Sequence, residues 1–236
     1  MDARPTAIIT GATGGIGQAL AHRMQSDFRL FVTGRKAAEE CRADLPPDAS
    51  YIRSDLSQPA KAADTIAAAL EEAGVKAVTR LVLNAGTGIY ASVFDEDGET
   101  IRNTLDVNLM APVLLIHRLA PFLEAGDGKL VLIGSVAHRG SPNMPSYAAS
   151  KAGLSGLARS LRSEWQDRIA VQIIHPGPTR TSMHEKAGYS PGRLERLFFS
   201  AEAMADEIVR LMETEKPSAT IMLAARLRRL LTGRVA

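Results

Sequence analysis

Residues 6–17 read Thr6-Ala7-Ile8-Ile9-Thr10-Gly11-Ala12-Thr13-Gly14-Gly15-Ile16-Gly17. Residues 6–10 form a short apolar strand pattern, and residues 16–24 carry apolar side chains at helical spacing. Strand, glycine-rich turn and helix in that order make the layout of a dinucleotide site. Glycine is needed where the backbone turns sharply, approaches a pyrophosphate and lets the helix close on the sheet. The first amides of the helix then supply an anion site. The spacing here is Gly11-x-x-x-Gly15-x-Gly17, wider than the common dinucleotide fingerprint.

Outward from that turn the chain alternates strand and helix. Further strands are expected at residues 30–33, 51–53, 80–83, 130–133, 169–175 and 219–223, and further helices at 59–73, 98–123, 147–165 and 201–213. The fold class is α/β: a single doubly wound Rossmann-type domain over residues 1–236, with a mainly parallel seven-stranded sheet flanked by helices on both faces. Pro112 interrupts the 98–123 pattern, and an interior proline costs about 3 kcal/mol, so a kink or local opening is expected near Asn108. Residues 182–200 are irregular and rich in Gly, Pro, Ser and charge, which at the carboxyl edge of such a sheet predicts a substrate lid.

Composition narrows the class. A chain of 236 residues, 45% apolar and 23% charged, suffices for one domain with a sizeable core. A net charge of +2 makes no case for a nucleic-acid partner. The single cysteine, Cys41, excludes an internal disulfide framework and a multi-cysteine zinc site. No metal site is expected, and a reducing, cytoplasmic setting fits. No signal peptide or membrane span is expected.

Two stretches carry the chemistry. Gly34-Arg35-Lys36 follows the second strand, where an acidic side chain would bind the ribose 2′-hydroxyl of NAD and a cation suits the 2′-phosphate of NADP. NADP(H) is therefore expected ahead of NAD(H). Further on, Leu130-Val131-Leu132-Ile133 reads as a buried strand that delivers Ser135 to its carboxyl end, where α/β sheets hold their ligands. Tyr147 and Lys151, at i and i+4 of a helical pattern, share one face. A free phenol has a pKa of about 10, and a neighbouring ammonium would lower it toward the operating range.

These residues resemble the short-chain dehydrogenase/reductase family in its classical form, over residues 6–223. Thr10-Gly11-x-x-x-Gly15-Ile16-Gly17, Asn84-Ala85-Gly86, Asn108, Ser135, Tyr147-x-x-x-Lys151 and Pro176-Gly177 stand in the family's order and at its intervals. The resemblance implies an NADPH-dependent oxidoreductase of the carbonyl reductase type, moving hydride between the nicotinamide and a ketone, aldehyde or secondary alcohol. It makes Tyr147 the general acid or base, Ser135 the partner of the same substrate oxygen, and Lys151 the group that lowers the tyrosine pKa and holds the ribose. Asn108 would position a water that relays protons from Lys151. Gly11, Gly15, Ile16 and Gly17 would cradle the diphosphate, with Asp55 and Leu56 along the adenine and Asn84, Ala85 and Gly86 beneath the adenosine. Thr13 and Arg35, helped by Lys36, would take the 2′-phosphate, while Pro176, Gly177, Thr179 and Thr181 would line the nicotinamide end.

For the substrate, Val136, Ala137, His138, Pro142 and Met144 after the fifth strand are expected to form an apolar pocket with Met183, Tyr189, Leu197, Phe198 and Phe199 of the lid. His138 is read as a loop side chain facing water, with substrate contact as the alternative. The partner is a small-molecule, apolar carbonyl or alcohol, and a homodimer or homotetramer is expected through the Asn108 and Tyr147 helices. The family's Gly-Gly-containing tail is replaced by basic residues 225–236, read as a terminal helix on its own domain, with membrane-surface contact as the alternative. Two other functions remain open on the same scaffold: an NADP-sensing regulatory or scaffold protein, and a non-redox lyase or epimerase.

Overall fold

The structure is a computed structural model that describes residues 3–181, 187, 188, 192, 196 and 198–222. Seven strands form one parallel sheet in the order β3-β2-β1-β4-β5-β6-β7. They are β1 (Thr6–Ile9), β2 (Arg29–Gly34), β3 (Ser50–Arg53), β4 (Arg80–Leu83), β5 (Lys129–Ile133), β6 (Ala170–Pro176) and β7 (Ser218–Ile221). Among the described residues the α-helices are α1 (Gly15–Met24), α2 (Ala38–Cys41), α3 (Pro59–Glu72), α4 (Gly98–Leu105), α5 (Ala111–Ala125), α6 (Pro145–Trp165) and α7 (Ala201–Met212). The doubly wound α/β fold read from the sequence is the observed one, and all seven expected strands are present.

A parallel strand covered on both faces must be apolar at every position, and the packing shows why. Leu130 and Leu132 face one core with Leu81, Ile66 of α3, Leu119 of α5 and Leu154 of α6. Val131 and Ile133 face the other, with Val82, Leu20 of α1 and Ile208 of α7. The run from Gly98 to Ala125 is long and apolar enough to cross a membrane by length and composition. Here Leu115, Leu119 and Leu123 are buried against the sheet.

Local chemistry sets several boundaries. Pro59 and Pro145 stand in the first turns of α3 and α6, where the missing N–H costs nothing. Accordingly α6 begins two residues before Tyr147, where the sequence pattern starts. Asp97 caps α4, its Oδ1 accepting from the amides of Glu99 and Thr100, each at 2.9 Å. Between α4 and α5 the helix widens into a π-turn over Asp106–Met110, which is the opening expected from Pro112. The short α2 and a 3₁₀ turn over Val136–Arg139 carry no helical periodicity and were not expected from the sequence.

Candidate active site

After β3 the chain crosses back to the other side of β1, so β1 and β4 flank a topological switch point, where sheets of this kind bind ligands. The two loops there are tied together. The Thr10 hydroxyl accepts from the amides of Asn84 and Ala85 at 3.0 and 3.1 Å, and Asn84 Nδ2 donates to the Thr10 carbonyl at 3.0 Å. Gly11 has φ +68°, and a Cβ there would stand 2.8 Å from the Ala85 backbone; one on Gly17 would stand 2.3 Å from the Gly11 carbonyl. Larger residues would pry the turn from β4. Around Gly14 a Cβ would meet nothing within 4 Å, so that side of the turn is open. It faces a cavity of about 520 Å³ that runs along α1 from Gly15 and Gln18 to His22 and Arg23, against Arg180, Thr181 and Glu202.

One strand further, β5 ends at Ser135, and α6 packs across its end. Tyr147 and Lys151 are 7% and 3% exposed. Burial raises the Tyr147 phenol above its ordinary value, and its hydrogen bond with Ser135 acts in the opposite direction. Lys151 Nζ donates to the Ile133 carbonyl at 3.0 Å and lies 5.7 Å from the centre of the Tyr147 ring. Burial lowers Lys151 to about 8. The expected lowering by the lysine is not what opposes burial in this structure: the Ser135 hydrogen bond is, and desolvation of the phenol outweighs it. Gly88 lies over the same ring, where a Cβ would come within 2.8 Å of Tyr147.

Asn108, fully buried in the π-turn, locks these pieces together. Its Oδ1 accepts from the Thr87 amide at 2.8 Å, and its Nδ2 donates to the Thr87 carbonyl at 2.8 Å and to Ser150 Oγ at 3.0 Å. Ser150 in turn donates to the Tyr147 carbonyl at 2.7 Å. The side chain is therefore committed to protein partners. Its backbone carbonyl is another matter, since the residue four positions on is Pro112, which has no N–H to give.

At the ends of β2 and β3 a second cavity, about 320 Å³, is lined by Arg35, Arg53, Ser54, Asp55, Gln58 and Lys61. Gly34 lets Thr13 close over this corner, for a Cβ there would stand 2.4 Å from the Thr13 methyl. The Ser54 hydroxyl is buried and has no hydrogen-bond partner among the described residues. Three cations around an orphaned hydroxyl fit a phosphate-bearing ligand. These residues fit a phosphate group of a dinucleotide cofactor.

Some expected residues lie elsewhere. Leu56 is buried in the core beneath α3, so its side chain does not reach the cavity that Asp55 lines. Thr179 turns inward, its hydroxyl donating to the Gly177 carbonyl at 3.0 Å. Phe199 is 3% exposed and packs in the α1–α7 core rather than in a pocket. Lys36 is absent from the cavity lining, and Arg53 and Lys61 take that place. His138 is half-buried, with one face stacked on His175. Ala137, Val136 and Met144 are half-buried beside Ser135 and the start of α6. Met183, Tyr189, Leu197 and residues 225–236 lie outside the described residues. Arg53, Lys61, Ser54 and His175 were missed; each ends a strand or faces its end, which was the available signal.

Comparison with known proteins agrees with this geometry. Residues 5–190 match the family model described as short chain dehydrogenase. The chain is 32% identical over 190 residues to human dehydrogenase/reductase SDR family member 4, covering 76% of this chain and 68% of the relative. A short chain dehydrogenase from Burkholderia cenocepacia J2315, solved in complex with NADP, superposes with a TM-score of 0.79 at 28% identity, over 92% of this chain and 96% of that one. A short chain dehydrogenase/reductase from Burkholderia phymatum in complex with NAD shares the fold, with a TM-score of 0.78 at 20% identity, over 98% and 96% of the two chains. With the glycine turn, the switch point and the Ser135, Tyr147 and Lys151 cluster in place, the chain belongs to the short-chain dehydrogenase/reductase family of oxidoreductases.

Proposed function

We propose that the chain is an NADPH-preferring carbonyl reductase, running as an alcohol dehydrogenase in reverse, with Tyr147 as general acid and base. The observation that carries this reading is the convergence of Ser135, Tyr147 and Lys151 at the carboxyl end of β5. When bound, NADPH supplies hydride from its nicotinamide ring. The Tyr147 phenol, kept protonated by burial, donates its proton to the substrate carbonyl oxygen as that oxygen gains charge. Ser135 Oγ donates a hydrogen bond to the same oxygen and holds it near the phenol. Lys151, fixed by Ile133, places a positive charge behind the ring, and the charge favours the phenolate left after transfer. The Asn108 carbonyl, to which Pro112 four residues on offers no N–H, would hold a water that returns the proton to Tyr147.

Preference for NADPH over NADH rests on Arg35, Arg53 and Lys61 around the second cavity. An apolar ketone or aldehyde suits the half-buried Val136, Ala137 and Met144. Pairing of two copies through the outer faces of α5 and α6 belongs to the same proposal, supported by the exposed Met110 at the start of α5. Fluorescence titration with NADPH and NADH, followed by a panel of apolar ketones and aldehydes at the nicotinamide absorbance band, tests it. Tighter NADPH binding with turnover of a panel member is expected; tighter NADH binding, or binding with no oxidation across the panel, would overturn it.

A further inference from the structure

The Ser135 carbonyl oxygen meets three nitrogens: the backbone N–H of His138 at 3.1 Å, His138 Nδ1 at 2.7 Å and His175 Nδ1 at 3.2 Å. The two imidazoles stack with ring centres 3.9 Å apart and planes inclined by 26°. They come from different elements, His138 from the 3₁₀ turn after β5 and His175 from β6. Gly134 makes the room, since a Cβ there would stand 2.4 Å from His175 Nδ1. A carbonyl oxygen only accepts, so each Nδ1 that bonds it carries the proton.

We infer that His138 and His175 are positioning residues: together they clamp the Ser135 peptide, so that the Ser135 hydroxyl is aimed at the Tyr147 phenol before substrate arrives. The inference rests on the reading of Ser135 as a ligand of the substrate oxygen. Ser135 is the last extended residue before the 3₁₀ turn, with φ −166° and ψ 154°, and its side-chain direction follows its backbone. Fixing its carbonyl fixes that direction, and a small misplacement of a hydrogen-bond donor is costly in catalysis. Two residues earlier, Lys151 holds the Ile133 carbonyl, so both carbonyls at the end of β5 are tied to side chains of the site.

The pair is suited to this work at neutral pH. His175 is 3% exposed, and the charged side chains acting on it besides the stacked ring, Arg139 on the turn and Lys151 on α6, are both cationic. Burial first, then His138, lowers His175 to about 4, so it remains a neutral Nδ1–H donor. A doubly protonated stack would place two cations face to face.

Nitrogen NMR of histidine-labelled protein without cofactor or substrate tests the tautomers directly. Nδ1–H signals from both rings at about pH 7 are expected, and Nε2–H tautomers in both would overturn the clamp. Kinetics supply the second arm, using the carbonyl best reduced by the wild type, with melting temperature checked for each variant. His175→Asn retains a donor near the Nδ1 position, whereas His175→Leu has none. Leucine should lower kcat about ten-fold or more with NADPH affinity unchanged, and asparagine should restore most of it. His138→Leu, on the half-buried turn, should lower kcat in the same way without disturbing the core. If Ser135→Ala lowers kcat while both leucine variants keep wild-type kcat, the clamp is refuted. If Ser135→Ala itself leaves kcat unchanged, the underlying reading of Ser135 is what fails.

Discussion

Lys151 Nζ lies 5.7 Å from the centre of the Tyr147 ring, and its hydrogen bond goes to the Ile133 carbonyl rather than to the phenol. The lysine therefore stands behind the tyrosine as a fixed charge. Lys151 makes no direct contact with the phenol; burial outweighs the hydrogen bond with Ser135, and Tyr147 titrates above an ordinary phenol in the cofactor-free chain. Difference absorbance titration of the wild type against Tyr147→Phe should show the extra tyrosine ionising above about pH 10. Ionisation below that range would mean that Lys151 controls the phenol directly.

The same burial makes Lys151 a cost to stability. Its pKa falls from 10.5 in the unfolded reference to about 8 in the folded chain. Below about pH 8 the folded state carries a buried cation; between about pH 8 and 10.5 the unfolded chain binds a proton the folded chain lacks, so stability rises with pH across that window. The gain is on the order of 3 kcal/mol. Lys151→Met should therefore raise Tm at about pH 7 by several degrees, less about 1 kcal/mol for leaving the Ile133 carbonyl without its donor, while turnover is lost. Thermal melts at neutral and alkaline pH check both parts: the wild type should become more stable with rising pH across that window, and the variant should not.

Cofactor preference lies in the corner between β2 and β3. Arg35 and Arg53 are exposed at the cavity mouth, so replacing them should leave the fold intact. Arg35→Ala and Arg53→Ala should each weaken NADPH binding about ten-fold and leave NADH nearly unchanged. Titration of each variant with both cofactors is the check, and equal losses for both would place the 2′-phosphate elsewhere.

Features built on local spacing were legible in the sequence. The glycine turn, Tyr147 with Lys151 one helical turn away, and the opening beside Pro112 all depend on neighbours within a few residues. Contacts made across strand order were not. His175 meets Ser135 only because β6 pairs with β5, and Arg53 joins Arg35 only because β3 pairs with β2. Residue type also leaves orientation open. Leu56 and Thr179 stand in the right loops, yet one side chain fills the core and the other bonds its own turn.

The proton-transfer claim is most directly tested by one comparison: single-turnover reduction of a carbonyl by wild type and by Tyr147→Phe, each saturated with NADPH and followed at the nicotinamide band. The account predicts that the variant binds NADPH about as well as the wild type and reduces the carbonyl at least about a thousand-fold more slowly. A variant that oxidises NADPH at the wild-type rate would contradict it and leave Tyr147 as a packing residue.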